Sequence, residues 1–230
     1  MEANRGIARV LWIAVILLAL IGVAVASRRA IVLVKPGAMS AGKNPAAGLD
    51  EHFAKEKALT LLHVLPGVIF MILGPLQFVR NLRSKHPAIH RWSGRIFLTA
   101  SAVIGATGLT MALRGTIGGA DEKAAILLFG SFFLVALGKA LWHAMHREFE
   151  KHREWMIRGF SVGLAVATIR PIMGGFFAAA LLHGRTPEPG KFFGAAFWIG
   201  FTLQTIAAEI WVRWTRRNHL AGALSASTKS

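Results

Sequence analysis

The chain has 230 residues, 54% of them hydrophobic, with 27 Lys or Arg against 11 Asp or Glu, a formal net charge of +16, and neither Cys nor Tyr. Its apolar residues come in blocks of about 20 with few charges, each long enough to cross roughly 30 Å of hydrocarbon as a helix, which excludes an ordinary soluble enzyme. Lack of cysteine excludes a disulfide framework, an iron–sulfur cluster, a Cys zinc site, covalent c-type haem and a thiolate nucleophile, so any cofactor falls to His, Met, carboxylate or backbone.

The apolar blocks lie near 7–27, 58–79, 95–113, 124–143, 156–182 and 192–212. A span in lipid must satisfy its own backbone groups, as a helix or in a closed barrel. Continuous apolar runs lack the alternation of barrel strands, so the predicted class is all-α: one polytopic transmembrane bundle of six spans over residues 1–230. The first block follows Arg5 and Arg9 and closes on Ala24, Val25 and Ala26, a pattern shared with cleaved secretory signals. Its length favours a retained anchor. Residues 36–50, rich in Gly, Pro, Ala and Asn, are predicted to form an irregular exposed loop.

The connection after the second block carries Arg80, Arg83, Lys85, Arg91 and Arg95 without an acid. The connection after the fourth adds Arg147, Lys151, Arg153 and Arg158, and the tail adds Arg213, Arg216, Arg217 and Lys229. Retention of Lys and Arg on the cytoplasmic side predicts both termini inside, in a bacterial cytoplasmic membrane. The segment holding Arg28, Arg29, Lys35, Lys43, Lys55 and Lys57 opposes that orientation, but it is long and partly acidic. The same retention, with attraction to anionic lipid, accounts for the basic charge without nucleic acid. No basic stripe is interleaved with aromatic residues on a soluble element.

An ionisable group at the bilayer centre costs about 2.5–3.5 kcal/mol on insertion scales, so those within spans are candidate functional groups. In the second block His63, Gly67, Gly74 and Gln77 share a helical face, with Pro66 beside the imidazole. They suit either a ligand histidine with glycines admitting a flat group, or close helix packing. The third block carries a strip of small residues headed by His90, which by itself is a helix contact. The fourth ends in Lys139, His143 and His146, and His152 follows. With His86 and His90 these place five of nine histidines at the inner surface, as metal or haem ligands, proton relays or a headgroup collar. Arg170, followed by Pro171, falls near mid-span in the fifth block with no acid predicted at its depth. It is expected to meet an anionic guest such as a haem propionate, a quinone oxygen or a carboxylated substrate; capping the Ala167 carbonyl, or reaching Gln77 or Gln204, is the structural alternative.

Four strings, His63-x3-Gly67-x6-Gly74-Pro75-x-Gln77-Phe78, His90-Arg91-Trp92-Ser93-Gly94-Arg95, His152-Arg153-Glu154-Trp155-Met156-Ile157-Arg158 and Thr168-Ile169-Arg170-Pro171, resemble those of a bacterial family of predicted integral membrane proteins, domain of unknown function 2306. The resemblance covers about 60–171. It implies a multi-span helical bundle and carries no reaction with it.

Three functions are compatible with these residues. The leading expectation is a b-type haem protein moving electrons between quinol and an acceptor, similar in plan to the b561-like cytochromes. His90 with His143 or His152 would ligate haem b on the inner side, Arg158 or Arg170 would neutralise propionates, and His63 would serve the outer side with His183 or a Met. A His-ligated non-haem oxidase of desaturase type would use His90, His143, His146 and His152 as metal ligands, but the sequence lacks the paired His-His of that type. The third is a small transporter or assembly protein in which His63, Gln77 and Arg170 line a polar path between Pro-broken helices.

Overall fold

The computed structural model describes residues 2–35 and 47–227, with side chains placed over 6–35 and 48–218. Eight helices follow in order: α1 (Glu2–Val34), α2 (Ala47–Ala54), α3 (Lys57–Gln77), α4 (Arg80–Lys85), α5 (Pro87–Arg114), α6 (Gly119–Met145), α7 (Phe149–Leu182) and α8 (Pro189–Ser227). No strand occurs among the described residues. Six of the helices hold segments long and apolar enough to cross a membrane: Gly6–Val34, Lys57–Gln77, Pro87–Arg114, Gly119–Met145, Phe149–Leu182 and Pro189–Asn218. The protein is a multi-pass membrane protein.

Most helices outrun the apolar blocks at their ends, whereas α3 stops at Gln77 within its block. Arg28 and Arg29 belong to α1, and α7 begins at Phe149 rather than near 156. The irregular stretch expected over 36–50 instead ends in the first residues of α2; its remainder, 36–46, lies outside the described residues. The basic segment after the second span is also helical, as α4 and the start of α5, where Pro87 takes the first helical position that tolerates a missing N–H. Two helices end in the same hydrogen-bonded cap. After α6, Glu148 N–H donates to His143 O (2.9 Å) and Arg147 N–H to Ala144 O (3.2 Å). After α7, Arg185 N–H donates to Ala180 O (2.9 Å) and Gly184 N–H to Leu181 O (3.0 Å). Gly184 takes the left-handed position at φ 66°, which costs glycine little, whereas Arg147 takes it at φ 60° with a side chain.

Helices α1, α3, α5, α6 and α7 pack in that order into a ring closed by α7 against α1, and α8 lies in the groove between α6 and α7. Between 11% and 33% of each 18-residue apolar window is buried, so most apolar side chains face outward, as a lipid solvent requires. The centre of the ring is aromatic. Phe70 from α3 lies 4.9 Å from Phe97 of α5, 5.8 Å from Phe133 of α6 and 5.6 Å from Phe160 of α7, centroid to centroid.

Glycines seat these rings. A Cβ at Gly74 would overlap Phe160, one at Gly163 would overlap Phe70, and one at Gly105 would overlap Leu134. Hydroxyls within the spans are satisfied locally, Ser101 donating to Phe97 O at 2.7 Å and Thr107 to Val103 O at 2.6 Å, so no unpaired donor faces lipid from these residues.

A methyl at Gly74 should cost about 1–3 kcal/mol through overpacking against Phe160. Gly74→Ala is expected to lower the unfolding temperature of the detergent-solubilised protein, while Gly138→Ala, where a Cβ meets nothing within 4 Å, leaves it unchanged or slightly raised.

Candidate functional site

On the side of the aromatic layer nearer α2, the ring opens into a cavity of about 240 Å³ lined by α1, α2, α3, α5, α6, α7 and α8. Its walls are mostly apolar, with Phe70 and Phe133 closing it toward the bundle centre. Seven polar or ionisable side chains also line it: Arg29, His52, Thr60, His63, Thr116, Glu122 and Arg170.

Helix α2 is strapped across this end by charge. Arg28 makes a two-pronged contact with Asp50 at 3.1 and 2.9 Å, and Arg29 pairs with the same carboxylate. The Arg29 guanidinium also lies 4.4 Å from the centroid of the Phe53 ring. Thr60, at the start of α3, donates to Phe53 O at 3.0 Å and fixes the α2–α3 junction.

His63 lies against Gly108, where a Cβ would meet its ring at 3.3 Å. Its Nδ1 is 3.0 Å from the Thr107 hydroxyl, and that hydroxyl donates to Val103 O. Because a hydroxyl donates one proton and a carbonyl only accepts, neutral His63 carries its proton on Nδ1. Nε2 is left as an acceptor.

Arg170 makes no hydrogen bond and no ion pair within 4 Å among the described residues, although its charge interacts with Arg29 and Glu122. The structural alternatives for it are taken elsewhere: Gln204 donates to Thr168 Oγ1 at 2.8 Å, and Gln77 to Ser93 Oγ at 3.0 Å. The expectation that no acid lies at its depth is corrected. Glu122, which falls between the third and fourth apolar blocks of the sequence, is in the first turn of α6 and 5% exposed, and it accepts the Gly118 N–H at 2.6 Å. Its inward placement follows from close glycine contacts: a Cβ at Gly118 would press on the Gly194 backbone at 2.7 Å, bringing α6 tightly against α8. The acid-after-glycine pattern of Gly118, Gly119 and Glu122 was the available sequence signal.

A second polar layer lies beyond the aromatic rings. Gln77, Ser93 and the His90 carbonyl are joined by hydrogen bonds of 3.0 and 3.2 Å. The Nδ1 of His90 is buried without a partner. His152 donates from Nδ1 to Ala140 O at 2.8 Å, leaving Nε2 as its acceptor nitrogen, and lies within electrostatic range of His90.

The other inner candidates have partners of their own. His143 pairs through Nδ1 with Glu148, and Glu148 is held below the usual carboxylate range by the Lys151 hydrogen bond and then by His143. His146 is exposed, donates to Trp142 O at 2.8 Å and stacks on Trp142 at 4.1 Å. Arg158 binds Glu209 at 2.9 Å and Glu154 at 3.7 Å. His183 is exposed and donates to Ala179 O at 2.8 Å; the side chains that share the cavity with His63 are instead His52, Met71 and Met111. Among the described residues no three His, Asp or Glu groups converge closely enough to hold a metal ion.

The model of a family described as "Predicted membrane protein (DUF2306)" matches residues 60–212, and the chain belongs to that family. The match extends the resemblance of 60–171 through the sixth span. No curated protein and no solved structure matches the chain.

His52, outside the spans at the cavity mouth, is held below its ordinary value near 6.5 by burial first and then by Lys55 and Arg29. The folded protein therefore resists protonation that the unfolded chain accepts, and stability is full above about pH 6.5 and falls as pH drops toward the lowered value. His52→Asn removes this contribution. The wild-type minus variant difference in unfolding free energy is expected to shrink between about pH 7.5 and about pH 5 in denaturant titrations.

Proposed function

We propose that this member of the DUF2306 family is a small carrier of amphipathic anions in the bacterial cytoplasmic membrane, with the cavity toward the outside and the α6–α7 turn and both termini in the cytoplasm. The observation that carries the reading is Arg170, a cation inside a mostly apolar cavity with no hydrogen-bonded partner of its own among the described residues. Placing a guanidinium there is expensive unless an anion completes it. The protein's own acid in range, Glu122, is held by the Gly118 N–H.

The remaining parts support the same guest. Arg29 is already balanced by Asp50, so Arg170 supplies the unspent charge, His63 offers an acceptor nitrogen, and aromatic and aliphatic walls suit a hydrocarbon body. Proline interrupts α3 at Pro66 and Pro75 and α7 at Pro171, the two helices whose Phe70 and Phe160 meet in the central layer. Such interruptions let helix halves move separately, as alternating access requires. Movement of those rings would connect the cavity with the layer of Gln77, Ser93, His90 and His152.

A second reading is favoured by one observation, the partnerless buried Nδ1 of His90 near His152. These two imidazoles fit the donor set of a bis-histidine haem b, which would supply one-electron transfer and a route to a quinone. The glycine seats fit it less well: Gly94, one turn from His90, has Gln77 Oε1 at 3.1 Å from the position of a Cβ, and Gly74 is filled by Phe160.

Two measurements separate the readings. Decanoate, but not decanol, is expected to stabilise the protein in neutral detergent. Arg170→Met should weaken decanoate binding by roughly 10- to 100-fold, the worth of a charge-assisted hydrogen bond; equal binding by the variant overturns the carrier reading. An absorption spectrum with a reducible Soret band that disappears in His90→Ala and in His152→Ala establishes the haem reading instead.

A further inference from the structure

The basic end of the bundle divides into two regions of different chemistry. On α7 and α8 most cations are matched by acids: Arg158 and Arg213 share Glu209, Arg216 binds Glu154 at 2.5 Å, and Lys151 binds Glu148. On α4 and the start of α5 they are not. From 57 to 120 the sequence contains no Asp or Glu, and exposed Arg80, Arg83, Lys85 and Arg91 make no ion pair among the described residues. The charge of Arg83 instead faces that of Arg153, which adds repulsion.

Of these unmatched cations Lys85 lines an apolar groove, and Arg80 and Arg83 stand on the same short helix. Where α3 ends, α4 turns aside and α5 begins, a depression is lined by Leu76, Val79, Leu82 and Ile89, with Lys85 and His86 in the same wall. Leu76 and Ile89 are 40% and 55% exposed, so the groove opens on the lipid-facing surface. Trp92, 64% exposed one turn further along α5 with the Arg95 guanidinium 5.0 Å from its ring, marks the depth of the headgroup region. An apolar channel below and uncompensated cations at headgroup depth describe a phospholipid with a negative headgroup.

We infer that the α3–α4–α5 groove is a binding site for an anionic phospholipid, one acyl chain lying along Leu76, Val79, Leu82 and Ile89 and its headgroup meeting Lys85, Arg83 and Arg80. The site is separate from the cavity and does not depend on what the cavity holds. It gives α4 a role: the short helix carries the cations sideways from the bundle to the position a headgroup occupies.

The test uses the full chain, delipidated in neutral detergent, with dioleoylphosphatidylglycerol, dioleoylphosphatidylcholine or inorganic phosphate added and binding read by native mass spectrometry and by unfolding temperature. Phosphatidylglycerol is expected to bind at least about tenfold more tightly than phosphatidylcholine, with phosphate alone giving no stabilisation. R80Q/R83Q/K85Q, at exposed positions, should abolish the preference while keeping the wild-type unfolding temperature in phosphatidylcholine. Ile89→Trp, which fills the groove, should reduce binding of both lipids. Equal affinity for the two lipids, retention of the preference by the triple variant, or an equal effect of free phosphate would each overturn the assignment.

Discussion

Helices surrounded by lipid gain little by hiding apolar surface from one another, because the acyl chains are as apolar as their side chains. What holds this bundle together is therefore contact quality, and the glycine seats supply it. Gly74 admits Phe160, Gly163 admits Phe70, and Gly105 and Gly159 admit Leu134 and Leu137. Each seat lets a bulky side chain from another helix touch backbone. The four central phenylalanines then touch one another across the ring, so α3, α5, α6 and α7 are positioned by a single interlocked group. The cavity exists because this group fills the middle and leaves one end open.

Charge at the α2 end is handled by a second rule, the ion pairing of arginines near the helix ends. Arg28 and Arg29 are matched by Asp50, which also fastens α2, and Arg114 is matched by Glu56 at 2.8 Å. These pairs offset much of the positive charge at the α2 end. Arg170 departs from the rule: Glu122 lies in Coulomb range without an ion pair, so the cavity retains local positive character.

The spans were legible in the sequence because length and continuity of apolar residues are strong signals, and so was the basic asymmetry of the connections. Helix ends were not, because arginines such as Arg28 and Arg29 can remain helical while reaching toward polar surroundings. The histidines were recognised by type but not by use. Only coordinates distinguish His143, tied to Glu148 across its own turn, from His90, left with a buried partnerless nitrogen. The purpose of the glycines was equally hidden, since the residue seated at Gly74 stands 86 positions away at Phe160. Arg170 was found by its improbable depth. Its acid was missed because Glu122 sits at a helix start that reads as a polar connection.

The interlocked phenylalanines have an electrical meaning as well as a mechanical one. Phenylalanine rings carry no oxygen or nitrogen with which to relay a proton, so a packed layer of them resists the passage of charge between the two ends of the bundle. A charge crossing a bilayer under 100 mV exchanges about 2.3 kcal/mol with the field, so the packing of these rings bears on how much of that energy the bundle holds back.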